Sequence, residues 1–128
     1  MCARARARGG AGCSVHAHSV VGGQNGTIFA ANASTGAVLW SSSPPAAPAR
    51  IMGPLVYDAG RDLVYGADFA GRVVALAPTS GAPAWTYTLP ASSKHPLIPV
   101  PLGPRISRDG TLLYFGSYDG ALHALHLE

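Results

Sequence analysis

Apolar residues come in short runs along this chain, bounded for the most part by glycine, proline, Asn or Asp. The runs are Val20-Val21, Thr27–Ala31, Ala37–Trp40, Leu63–Ala67, Arg72–Ala77, Trp85–Leu89, Leu112–Gly116 and Ala121–Leu127. None sustains the i, i+3, i+4, i+7 spacing of an amphipathic helix, and 16 glycines and 11 prolines interrupt throughout. Between the runs stand Asn25-Gly26, Asp109-Gly110 and Asp119-Gly120, which suit tight hairpins because these residues tolerate positive φ. The pattern predicts an antiparallel all-β fold with strands of about five residues. Inside a run such as Val73-Val74-Ala75-Leu76 the apolar residues are continuous rather than alternating, which predicts sheets covered on both faces.

The runs also repeat. Val20–Ala30 lines up with Val64–Ala75 and again with Tyr114–Ala124. Gly26 and Gly71 are 45 residues apart, Gly71 and Gly120 are 49, and the pairs Gly36/Gly81 and Trp40/Trp85 are each 45. A period in the forties built of strands alone predicts one propeller blade per repeat. Gly53–Tyr57 and Gly103–Ser107 precede the second and third repeats and are read as inner strands, each followed by a turn (Asp58–Asp62, Arg108–Gly110). Residues 14–41 predict three strands of one blade, 51–89 all four of a second and 102–127 three of a third. The expected fold class is therefore all-β, an incomplete propeller arc of four-stranded antiparallel blades. The expected organisation is a disordered basic N-terminus over 1–13 and repeats over 14–128, divided at about 14–50, 51–101 and 102–128. The proline-rich segments Ser41–Pro48 and Pro90–Pro104 connect blades, and Pro96-Leu97-Ile98-Pro99, which fits P-x-x-P, reads as part of such a connection.

At the ends of the repeats the residues resemble the PQQ-repeat, or quinoprotein-like, propeller family, whose blades end in Ala-x-Asp-x-x-Thr-Gly-x-x-x-Trp. Ala30, Asn32, Thr35, Gly36 and Trp40 occupy that frame, with Asn for Asp. Ala75, Ala77, Ser80, Gly81 and Trp85 occupy it again, with Ala for Asp and Ser for Thr, and a third copy opens at Ala124. The resemblance covers about residues 18–128. It implies that the glycines turn the chain into the outer strand and that the tryptophans dock one blade onto the next. The substitutions at Asn32 and Ala77 are expected to weaken the side-chain hydrogen bonding of the turn. Rings of this family have seven or eight blades, so the chain is expected to belong to a larger closed structure.

Composition changes this picture little. Charged residues make up only 12% of the chain and hydrophobic ones 48%, low in charge for a domain with its own surface to cover. The formal charge of +3 comes from Arg4, Arg6 and Arg8, a basic tip without a matching basic stripe, so no nucleic-acid partner is expected. No apolar run of 18 residues exists, which excludes a helical membrane span. Cys2 and Cys13 form no C-x-x-C pair, so neither a disulfide framework nor a thiolate zinc site is expected, and the compartment is not legible.

Candidate chemistry is sparse. Quinoprotein dehydrogenases of the resembling family carry a vicinal cysteine pair, an Asp base and calcium-binding Glu, Asn and Asp, yet no adjacent cysteines occur and Glu128 is the single glutamate. Asp58, Asp62, Asp109 and Asp119 fall at turns, and Asp68 alone is placed where a strand end could face a central channel, with a turn role preferred. His16 and His18, i and i+2, would share a strand face but lack a third metal ligand, His123 and His126 would face opposite ways, and His95 lies in a loop. No catalytic, cofactor or metal residue is assigned. The residues assigned to blade docking are Ala30, Thr35, Gly36, Trp40, Ala75, Ser80, Gly81, Trp85 and Ala124. The expected function is a non-catalytic scaffold or interaction module, meeting other blades or a protein partner through exposed sheet edges. Two alternatives are a fragment of a PQQ-dependent dehydrogenase, which alone would bring in PQQ and calcium, and the C-terminal propeller of an adenylate-forming enzyme of the β-alanine-activating type.

Overall fold

A computed structural model describes residues 12–15, 18–43, 49–51, 53–90, 100 and 103–128. They form the strands β1 (Gly12–Val15), β2 (His18–Gly22), β3 (Ile28–Asn32), β4 (Val38–Ser42), β5 (Val56–Asp58), β6 (Leu63–Ala67), β7 (Arg72–Leu76), β8 (Pro83–Thr88), β9 (Arg105–Ile106), β10 (Leu112–Gly116) and β11 (Leu122–His126). Three antiparallel meanders result, β1 to β4, β5 to β8 and β9 to β11. The strands that open them, β1, β5 and β9, touch in succession, so the sheets radiate from their inner edges as blades. The chain is an open arc of three propeller blades.

Two details differ from the sequence reading. The first blade has four strands rather than three, because Gly12–Val15 pairs with β2 from Gly12↔Val21 to Val15↔His18. That strand carries a single valine, so its backbone pairing rather than an apolar run defines it. The second difference is one residue of register. Hairpin partners Val20↔Ala30, Tyr65↔Ala75 and Tyr114↔Ala124 make Val20, Tyr65 and Tyr114 equivalent, which displaces Val64 from that row.

One turn recurs three times. Gly23 N–H donates to Thr27 O and Gly26 N–H to Gly23 O, and the same pair of bonds closes Asp68–Arg72 and Ser117–Ala121. Its fourth residue is left-handed each time, with φ of 82° at Gly26, 78° at Gly71 and 81° at Gly120, a conformation that favours glycine. The connections between blades also share a bond. Ile51 N–H donates to Gly23 O at 3.2 Å and Val100 N–H to Asp68 O at 3.1 Å, so each incoming segment is pinned to the preceding blade's turn.

The core lies in the two seams between blades. Val20, Ile28 and Ala30 of blade one pack against Leu55, Val64 and Leu76 of blade two, with Ile51 between them. Val56, Tyr65, Val73 and Ala75 of blade two pack against Leu113, Phe115 and Leu127, with Val100 between them. Burying each large side chain contributes roughly 1.5–3 kcal/mol, so the seams dominate the favourable side of folding. Blade two has a neighbour on either side, and its β6 and β7 are buried at all positions but Leu63 and Val74. The continuous apolar run in β7 is therefore the mark of a doubly covered sheet, whereas the outer strands β4, β8 and β11 are largely exposed.

Candidate functional site

The first seam is closed by Trp40. Pairing of Ala30 with Trp40, and alternation of faces along β4, aim the indole at blade two. A β-bulge leaves Leu39 unpaired, since Ala31 partners Val38, and an identical bulge recurs at Ala84 in blade two. Trp40 Nε1 donates to Pro78 O at 2.8 Å, crossing from the outer strand of one blade to the β7–β8 turn of the next. The ring then lies over Gly81, where a Cβ would come within 2.4 Å of Trp40 Cε3. Gly81 also has φ +71°, so conformation and close approach both demand glycine there.

The turns around these residues are built alike. Thr35 Oγ1 accepts the Ala37 N–H and Ser80 Oγ the Ala82 N–H, each at 3.3 Å. Asn32 does not weaken its turn, because its Oδ1 accepts from Ser34 N–H at 2.9 Å and Thr35 N–H at 3.0 Å, as a carboxylate would. Ala77 has no such acceptor, and that turn rests on the main-chain bonds Ala77 N–H to Ala82 O and Gly81 N–H to Ala77 O, both 2.8 Å.

The second seam is held differently. Trp85, paired with the fully buried Ala75, tilts against Tyr65 with centroids 5.6 Å apart. It borders a groove of about 440 Å³ shared with Tyr87, Leu125 and Leu127. By register the counterpart of Pro78 is Leu127, and its carbonyl accepts Arg61 Nη2 at 2.6 Å. The same guanidinium donates through Nη1 to Gly110 O at 2.9 Å and through Nε to Glu128 O at 3.1 Å. Arg61 thus fastens the β5–β6 turn of blade two to two places on blade three. Its fork is aligned by Asp58, whose Oδ2 accepts from Nη1 at 3.0 Å while Oδ1 accepts the Gly60 and Arg61 N–H groups. Burial pulls the Asp58 carboxyl upward, but the bonds from Arg61 and Gly60 and the guanidinium charge outweigh it and leave the pKa below the ordinary value. Burial, reinforced by Asp58, pushes the Tyr65 hydroxyl up to about 12. Arg61 was not singled out from the sequence. Its one local signal is the Asp-x-x-Arg spacing of the turn.

The residues weighed for chemistry are occupied by turns. Asp68 Oδ1 accepts N–H groups from Ala70 and Arg72, and Oδ2 pairs with Arg72 Nε at 2.8 Å in a buried site. Both oxygens of Asp68 are thus engaged, in its own turn and in the ion pair with Arg72. Asp109 is held at about 2 by the Ser107 hydroxyl and by Thr111. Asp119 is also held at about 2, first by the Ser117 hydroxyl, then by Ala121 N–H and His123. Ser117, Asp119 and His123 form a cluster, with His123 Nε2 3.1 Å from Ser117 Oγ and 2.9 Å from Asp119 Oδ2, while the serine hydroxyl donates to Asp119. A nucleophile–base relay needs serine and carboxylate on different ring nitrogens; here both meet Nε2, so the cluster braces its turn. His123 also stacks on Phe115 at 5.4 Å. His18 opens β2, separate from β1, while His16, His95, Cys2, Arg4, Arg6, Arg8 and Pro96–Pro99 lie outside the described residues. Among the described residues no group of three or more His, Cys, Asp or Glu is placed to hold a metal, and no helix is long and apolar enough to cross a membrane.

What remains is apolar surface. Ala124, on β11 opposite Tyr114, is exposed, and beside it Leu122 is 74% exposed. On blade one, Val38 is 66% exposed. Between blades one and two, Ile28, Val74, Leu76, Ser42 and Thr86 line a cavity of about 240 Å³.

Compared with known proteins, residues 9–128 match the profile of the family described as outer membrane protein assembly factor BamB. Among solved structures, that of BamB from Moraxella catarrhalis superposes with a TM-score of 0.63 at 23% identity, over 86% of this chain and 31% of that one. The chain thus spans about a third of that protein's length, and at this identity the likeness is one of fold. A sequence search of curated proteins finds no match. The three blades, their repeated turns and the profile match over nearly the whole sequence agree: the chain belongs to the BamB-like family of PQQ-repeat β-propellers.

Proposed function

We propose that this chain is a non-catalytic scaffold, whose blades are held together by Ala30, Thr35, Gly36, Trp40, Ala75, Ser80, Gly81 and Trp85 and present apolar sheet surface to a protein partner. One contrast carries the reading. Among the described residues, Asp58, Asp68, Asp109, Asp119 and His123 are spent on turns and seams, whereas large apolar side chains lie open on the terminal blades, Leu122 at 74% and Val38 at 66%. The family's description as an assembly factor accords with binding rather than turnover.

The rival reading from quinone chemistry is separable by titration. Adding PQQ with excess Ca²⁺ to the purified chain is expected to leave the quinone absorbance unchanged and the cofactor unretained on gel filtration. A saturable spectral shift at one equivalent would replace the scaffold with an enzyme fragment.

A further inference from the structure

We propose that the first seam holds a binding site for a small planar aromatic molecule, in the cavity between blades one and two. Its walls come from those two blades and from Ile51 in the segment that joins them.

The repeat shows what is missing from this space. Tyr65 and Tyr114 are equivalent, so Gly66 and Val74 on blade two correspond to Phe115 and His123 on blade three. The pairs Ile28↔Ser42 and Val73↔Tyr87 likewise make Ser42 the counterpart of Tyr87. In the second seam Phe115 is 2% exposed, and His123 stacks on it with ring centroids 5.4 Å apart. Tyr87 borders the same seam. Three rings thus stand at a level where the first seam has Gly66, Val74 and Ser42. Leu55 takes back part of the difference, since its Cδ2 lies 2.7 Å from where a Cβ on Gly66 would be. The rest is a cavity of about 240 Å³, with Ser42 and Val74 both in its wall.

The lining narrows the class of ligand. Ile28, Ile51 and Leu76 make an apolar floor, each 3–5% exposed. One end is polar, formed by the Asp68–Arg72 pair at 2.8 Å. Ser43, Thr86 and Thr88 bring exposed hydroxyls to the mouth. An apolar surface with a few polar groups at its margin is the make-up of a small-molecule site. A dry cavity of about 150 Å³ holds benzene, so this one has room for a second fused ring. Asp68 and Arg72 cancel in charge and the floor supplies none, so a charged ligand would lose its hydration without return. The ligand class is therefore a neutral, planar, one- or two-ring aromatic with a hydrogen-bonding group at its edge. Indole is the simplest probe.

Nuclear magnetic resonance of the full chain, labelled at isoleucine methyl groups, tests the site directly. Titrated with indole, the Ile28 and Ile51 signals are expected to shift together and saturate as one site. Ile106, in the second seam, should stay where it is. Ser42→Tyr and Val74→Phe each put a ring into the first seam and are expected to weaken indole binding at least about tenfold. Near-UV circular dichroism checks that both variants fold, and the methyl shifts of the wild-type chain decide the matter if either does not. Cyclohexanol, which is not planar, is expected to leave Ile28 and Ile51 unmoved. Indole that shifts neither residue, that shifts Ile106 equally, or that binds Ser42→Tyr as well as wild type overturns the site. Cyclohexanol binding as tightly as indole overturns the aromatic class. The scaffold reading fails separately, on the PQQ titration, whatever indole does.

Discussion

At Gly81, as at Gly26 and Gly103, two demands on the residue coincide, and here the close approach is made by a side chain of the preceding blade. The residue is left-handed, and the six-membered ring of Trp40 lies where a Cβ would be. Gly36 has nearly the same φ, +74°, with nothing within 4 Å of a built Cβ. Alanine at Gly36 therefore meets only the left-handed penalty, about 1–2 kcal/mol. At Gly81 it meets that penalty and an overpacked seam, together roughly 2–4 kcal/mol. Trp40→Phe keeps an aromatic side chain in the seam but removes the donor to Pro78 O, a net loss of about 1 kcal/mol from the hydrogen bond. Urea denaturation of the three variants should rank them Gly81→Ala, then Gly36→Ala, then Trp40→Phe, with the last two close together. Equal losses at the two glycines would mean that the tryptophan does not press on Gly81.

Between elements, the two seams use different fasteners for the same carbonyl position. Pro78 O receives an indole N–H, and Leu127 O receives a guanidinium. Arg61→Met would release three main-chain acceptors on blade three and leave the Asp58 carboxylate facing Tyr65 without its partner. The expected loss is about 2–3 kcal/mol, mostly from the stranded charge. A double-mutant cycle with Asp58→Asn should show that most of the loss is shared between the two residues. Additive effects would assign Arg61 a role independent of Asp58. This fastener also shows where legibility in the sequence stops. The apolar runs at Leu63–Ala67 and Leu112–Gly116 coincide with β6 and β10 residue for residue, because burial of a strand writes itself into composition. The frame around Trp40 and Gly81 was legible as a repeat, since its residues recur at fixed spacing. Arg61 was not, because its acceptors are backbone carbonyls 49 to 67 residues away and any residue type supplies a carbonyl. β1 was missed for a related reason, its place being set by backbone pairing with β2 rather than by side-chain pattern.

For the whole molecule, these local differences set the order in which the arc comes apart with pH. Asp58, Asp109 and Asp119 all titrate below the ordinary carboxylate value, the last two at about 2. A depressed folded pKa adds stability that is complete above the unfolded pKa of about 4 and lost as pH falls toward 2. Two of these carboxylates brace the turns of blade three, and the third aligns Arg61 against that blade. No carboxylate takes part in the Trp40 dock, an indole on a carbonyl over a glycine. At the alkaline end the sign reverses. Tyr65, raised to about 12, supplies stability present below pH 10 and lost between about 10 and 12, and it belongs to the second seam as well. Among the described residues the inner strands touch in succession, β1 with β5 and β5 with β9, so a seam can open without its fellow, as in other repeat architectures. The second seam should therefore yield first at both extremes. Trp40→Phe leaves Trp85 as the fluorophore of the second seam, and Trp85→Phe leaves Trp40 as that of the first. Followed from neutral pH toward pH 2, the Trp85 signal is expected to change at higher pH than the Trp40 signal. Tyr65→Phe should remove the early change above pH 10 while leaving the acid one. Coincident acid transitions in the two single-tryptophan chains would show instead that the three blades melt as one unit, bound more tightly to each other than Asp58 and Arg61 can account for.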